Sequence, residues 1–158
     1  RLWHEIWDLH EDFIAFGISF AVIARFWVVH HHFFGEVRAF DGRLVNLNLF
    51  YLAWIVLIPF SSRLLGDYGG EAAAVVVYAV NLAGCVLVGF RMNAYAHSAG
   101  LTTIDDTAHR ENRIRAGYIS ALFLLAIPVA FVAPSWAPLL WLALFFDPSS
   151  RLAARSAG

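Results

Sequence analysis

The chain has 158 residues, 60% of them hydrophobic and only 15% charged, and its net charge is -1; the mean hydropathy is +0.64. A soluble domain carries about 25% charged residues, so this is the composition of an integral membrane protein, and without a basic tract nothing points to nucleic acid as a partner. The single cysteine, Cys85, excludes a disulfide framework and a cysteine-ligated metal centre.

Residues 1–12 (RLWHEIWDLHED) intersperse Leu2, Trp3, Ile6, Trp7 and Leu9 with polar residues, which suits a short amphipathic segment at the membrane interface. The first span is predicted over 13–34, FIAFGISFAVIARFWVVHHHFF, 22 residues that reach about 33 Å as a helix, enough to cross a bilayer. At about 100° per residue, Trp27, His30 and His31 share roughly a third of the circumference with Phe20 and Ile23, while Arg25 and His32 point the other way. One face is therefore aromatic and apolar, with imidazoles at its foot, and is expected to look into the bundle.

A second span is predicted over 44–60, carrying Asn46 and Asn48 early and Pro59 near its far end, followed by a turn containing Arg63, Gly66, Asp67, Gly69 and Gly70. A third, rich in the small side chains that let helices approach closely, covers 72–90. A long polar connection from Arg91 to about Asn112 ends in a helix start for which Asp105, Asp106 and Thr107 are N-cap candidates. The fourth and fifth spans fall at about 114–133 and 136–146, joined by a turn bracketed by Pro134 and Pro138. The fifth is short for a bilayer, and the tail after Asp147 is polar. The fold class is thus all-α, one polytopic transmembrane bundle over 1–158.

Every basic residue other than histidine is arginine. The connections after spans one and three and the C-terminal tail hold Arg38, Arg43, Arg91, Arg110, Arg113, Arg115, Arg151 and Arg155, and the opposite side only Arg1 and Arg63. The positive-inside rule makes the C-terminus cytoplasmic. Five spans then place residue 1 outside, where nothing in residues 1–12 could bring it, so a preceding transmembrane helix is expected, giving six per subunit.

The polar residues within the spans are the candidates for function, since such residues are costly in lipid and usually face a bundle interior. His30 with Trp27 suits an interior hydrogen-bonding role; His31 and His32 equally suit a helix end solvated by headgroups. Asn46 and Asn48 lie at the cytoplasmic depth of His30, and Asn48 is either its partner or a plain interhelix bridge. Asn81 and Ser120 read as helix-packing hydrogen bonds, and Arg25 as either snorkelling or functional. Haem ligation by two histidines would need His4, His10, His97 or His109, all in predicted flanks or loops. Neither a nucleophile with its base nor a phosphate loop is present, which argues against an enzyme, and no cofactor or metal is implied.

FWVVHHHFF, followed after a basic connection by DGRLVNLNLFYLAWIVLIPFSSRLLGDYG, resembles the second and third helices of the transmembrane protein 175 family of potassium channels in its prokaryotic form. The resemblance implies a six-helix subunit and a homotetramer around one axial pore for potassium ions, lined by a first helix that this chain lacks. It also implies that Trp27, His30, His31 and Asn48 brace that pore helix by hydrogen bonds, supporting the pore rather than lining it; Arg25 and Asn46, by their place in the spans, are the accessory polar candidates. The TVGYG carbonyl filter of other potassium channels is absent. The alternative is a small-solute transporter or a non-conducting scaffold, disfavoured because no inverted repeat is visible and Pro128 is the one mid-span proline.

Overall fold

The computed structural model describes residues 10–145. Of the interfacial segment expected over residues 1–12, residues 10–12 belong to the first helix; residues 1–9 and the polar tail after Asp147 lie outside the described residues. Within it the chain forms five α-helices, α1 (His10–Gly35), α2 (Gly42–Val56), α3 (Ile58–Tyr68), α4 (Ala72–Ser98) and α5 (Asp106–Ala130), and then a 3-10 helix (Ala137–Phe145).

Local chemistry sets these boundaries. The Asp41 side chain accepts the Leu44 N–H at 2.8 Å and so caps α2. That carboxylate also accepts the Tyr95 hydroxyl, and these two donors, the hydroxyl first, hold its pKa below the usual carboxylate value. Pro59 has no N–H to offer the α2 ladder. The helix therefore tightens to a Leu57 N–H to Trp54 carbonyl bond of 3.2 Å, then resumes as α3 when Ser61 N–H reaches Leu57 carbonyl at 3.0 Å. Asp105 caps α5 by accepting Ala108 N–H at 2.8 Å.

Three stretches are long and apolar enough to cross a membrane among the described residues: Gly42–Tyr68, Ala72–Ser98 and Asp106–Ala130. The first is α2 and α3 together, so Arg63, Gly66 and Asp67, expected in a turn, are helical, and Arg63 pairs with Asp67 one turn on at 3.5 Å. The turn shrinks to Gly69, Gly70 and Glu71. The expected long connection from Arg91 is corrected in the same way. Helix α4 runs to Ser98 because Met92, Asn93 and Ala96 keep a buried face beyond the apolar core of the span, and α5 starts at its Asp105 cap. The segment expected as a fifth span is a nine-residue 3-10 helix, about 18 Å long against some 30 Å of hydrocarbon.

Helix α4 is the centre of the bundle, packing on α2, α3 and α5. Its small residues permit this: a Cβ on Gly84 would fall 2.4 Å from the Trp54 ring, so the indole of α2 lies directly against the α4 backbone. The main core joins Ile58, Tyr78, Leu82, Cys85 and Phe123, and Val22, Ile23 and Phe26 of α1 pack against it. A second cluster, with Phe33, Leu44, Met92 and Ala96, closes one end of the bundle, and a third, with Val75, Ala126, Ala130 and Ala137, lies among the residues that flank the connections at the other.

At the first of these ends the α1–α2 and α4–α5 connections meet. Arg38 N–H donates to Leu101 carbonyl at 2.7 Å and Thr103 N–H to Glu36 carbonyl at 2.9 Å, around a bridge between Val37 and Thr102. Two connections that arginine counting assigns to one side are thus bonded to each other.

Candidate functional site

The polar centre of this end is His30 of α1. Its Nε2 lies 2.7 Å from Asn48 Oδ1 of α2, which makes a hydrogen bond when Nε2 carries the proton. The imidazole is stacked on the Tyr51 ring with centroids 5.2 Å apart and planes 7° from parallel, and Phe34 lies tilted against it at 4.6 Å. Tyr51 is buried, and its hydroxyl donates to the Phe26 carbonyl at 3.4 Å, one turn before His30. Asn48 and Tyr51 are three residues apart on one face of α2, so the two helices are joined by one side-chain pair and one side-chain-to-backbone bond.

Trp27 and His31 take a different position. They stack on each other, centroids 5.0 Å apart and planes at 12°, but Trp27 is 61% exposed and Phe20, two turns before it on the same stripe, is 62% exposed. The expected interior face of α1 is therefore divided: Ile23 and His30, with the neighbouring Val22 and Phe26, face other helices of the chain, and Trp27 and His31 do not. The reason is that α1 makes its main helix contact with α3, which covers only one side of it. Arg25, His32 and Asn46 are exposed as well, so the structure does not bring the accessory polar groups to His30.

The amides and hydroxyls deeper in the bundle behave more simply. Asn81 Nδ2 donates to Ser61 Oγ at 2.8 Å and Ser61 Oγ to Ile58 carbonyl at 3.1 Å, tying α4 to the helix break at Leu57. This is the packing role expected of Asn81. Ser120, read from the sequence in the same way, is buried, and among the described residues its Oγ has no hydrogen-bond partner. Among the described residues no group of three or more His, Cys, Asp or Glu converges as a metal site would. Tyr51 is the member of the site that sequence reasoning missed; its signal was a polar-tipped aromatic at i+3 from Asn48 within an apolar run.

The comparison with known proteins gives a consistent picture. The family model described as "Endosomal/lysosomal potassium channel TMEM175" matches residues 1–59, the part of the chain that carries Trp27, His30 and Asn48. A potassium channel of Streptomyces collinus is 32% identical over 140 residues, covering 84% of this chain and 68% of the relative. Two further potassium channels are 28% identical: one from Chamaesiphon minutus over 132 residues, 80% of this chain and 65% of the relative, and one from a Chryseobacterium species over 80 residues, 51% and 42%. The chain thus spans about two thirds of the length of two of these relatives and less of the third. No solved structure matches.

Proposed function

The chain belongs to the TMEM175 family of potassium channels, a family of ion channels and not of enzymes, and on that premise we propose that it is a subunit of a homotetrameric, potassium-selective pore in the plasma membrane of a bacterium, with its α1–α2 and α4–α5 connections in the cytoplasm. Potassium ions are the permeant species and move down their electrochemical gradient, one unit charge across 100 mV being worth about 2.3 kcal/mol. No cofactor takes part.

The observation that carries this reading, beyond family membership, is the pairing of His30 with Asn48 at 2.7 Å beside an exposed Trp27–His31 stack. An imidazole and an indole N–H left open on a membrane helix need polar partners that lipid tails cannot offer. In the proposed assembly those partners come from a pore-lining helix outside these 158 residues. His30 and Asn48 fix the angle between α1 and α2, and Trp27 and His31 hold the pore helix against that frame. The spans of the resulting subunit are the pore helix, α1, the α2–α3 stretch, α4 and α5.

The test is potassium flux and oligomeric state of the full-length protein in liposomes, with Trp27→Ala, His30→Ala and Asn48→Ala. A channel gives flux that does not saturate with potassium concentration, and the variants shift open probability or weaken the tetramer. Saturating flux would make the protein a carrier, and unaltered currents and tetramer in all three variants would remove these residues from the pore support.

A further inference from the structure

The short connection between α4 and α5 is closed by two histidines that the channel reading does not use. His97, in the last turn of α4, has both ring nitrogens engaged: Nδ1 lies 3.0 Å from the Ile104 carbonyl oxygen and Nε2 2.9 Å from Asp106 Oδ1. His109, one turn into α5, lies face to face with it, centroids 4.4 Å apart and planes 8° from parallel. The His109 ring is backed by Phe90 at 6.0 Å, and its Nδ1 is 3.4 Å from Oδ1 of the buried Asn93.

This arrangement is selective for charge. A carbonyl and a carboxylate both accept hydrogen bonds, so both His97 nitrogens are satisfied only when each carries a proton, that is, as the imidazolium. A neutral His97 turns a lone pair toward one of them, and Asp106, almost fully exposed, is then free to swing into water. A second proton on His109 sets two positive rings 4.4 Å apart, and Arg113 adds a third positive charge nearby. At that separation the repulsion between two unit charges is worth about fivefold in an equilibrium constant even at the dielectric of water. The groups that face the pair are Phe90 and Asn93 from α4, Ile104 from the connection, and Asp106 and Arg113 from α5.

We infer that His97 and His109 form a proton-sensitive latch, closed when the pair holds a single added proton and released when that proton is lost or a second is gained. What the latch holds is the seat of residues 101–104 on the α1–α2 connection, made by the Arg38 and Thr103 amides. That seat begins two residues after Phe34, whose ring packs on His30. The latch is independent of conduction, so its failure and that of the channel reading are separable.

The experiment is amide hydrogen exchange of Arg38 and Thr103 in the full chain in nanodiscs, across the histidine titration range, corrected for the intrinsic pH dependence of exchange. Protection passes through a maximum, falls about fivefold on the acid side, and falls on the alkaline side as the His97 contact to Asp106 is lost. His109→Phe keeps the ring stack and removes the second titration, so it abolishes the acid limb. Asp106→Asn offers a neutral His97 a donor, so it flattens the alkaline limb. Protection that is flat with pH in the unmodified chain, or a profile unchanged in His109→Phe, would overturn the latch.

Discussion

His30 and Trp27 lie three residues apart and do different work. His30 spends its Nε2 on Asn48 and its ring face on Tyr51, all within the chain. Deleting either end of that hydrogen bond removes the same interaction, so a double-mutant cycle with His30→Ala and Asn48→Ala returns a coupling of about 0.5–1 kcal/mol in unfolding free energy. Trp27→Ala, by contrast, removes a ring that touches little of this chain except His31, and shifts subunit stability by less than about 0.5 kcal/mol. Chemical denaturation of the isolated subunit in detergent measures both, and a Trp27 effect as large as that of His30 would mean the indole is buried within the subunit. The sequence placed His30 opposite Asn48 because the two spans, running in opposite directions from one short connection, bring these residues to the same depth. It did not reveal that Trp27 faces away, since a helical wheel fixes the angles between residues but not which neighbour covers which arc.

At the scale of the helices, the apolar cores of the spans were legible and their ends were not. A run such as 72–90 stands out by hydropathy, yet α4 continues for two more turns through Arg91, Met92, Asn93, Ala94, Tyr95 and Ala96. There the pattern changes from uniformly apolar to amphipathic, and the buried face narrows to Met92, Asn93 and Ala96. The α2–α3 stretch hid its extent differently. Pro59 and the glycines near Asp67 read as breakers, but Pro59 sits in the first turn of α3, where the missing N–H costs little. The close approach of α2 to α4 rests on Gly84 under the Trp54 ring. Gly84→Ala forces that indole aside and lowers thermal stability by about 1–3 kcal/mol, whereas Gly66→Ala, with open space at its Cβ, gains about 0.5–1 kcal/mol from helix propensity. Equal effects of the two in thermal unfolding would contradict the packing described.

For the whole molecule, two facts converge. The arginine-bearing connections after α1 and α4 are hydrogen-bonded at one end of the bundle, the arrangement that the positive-inside rule requires of a membrane protein with both on the cytoplasmic side. The Trp27–His31 stack on α1 remains exposed among the described residues, the arrangement required if a pore-lining helix packs there. Both belong to a protein whose family conducts potassium. The most direct measurement is the reversal potential of the full-length protein in a planar bilayer with a tenfold potassium gradient opposed by sodium. Potassium selectivity moves the reversal toward about 59 mV in magnitude at the potassium equilibrium potential; a reversal near zero, or no current carried by potassium, would contradict the account.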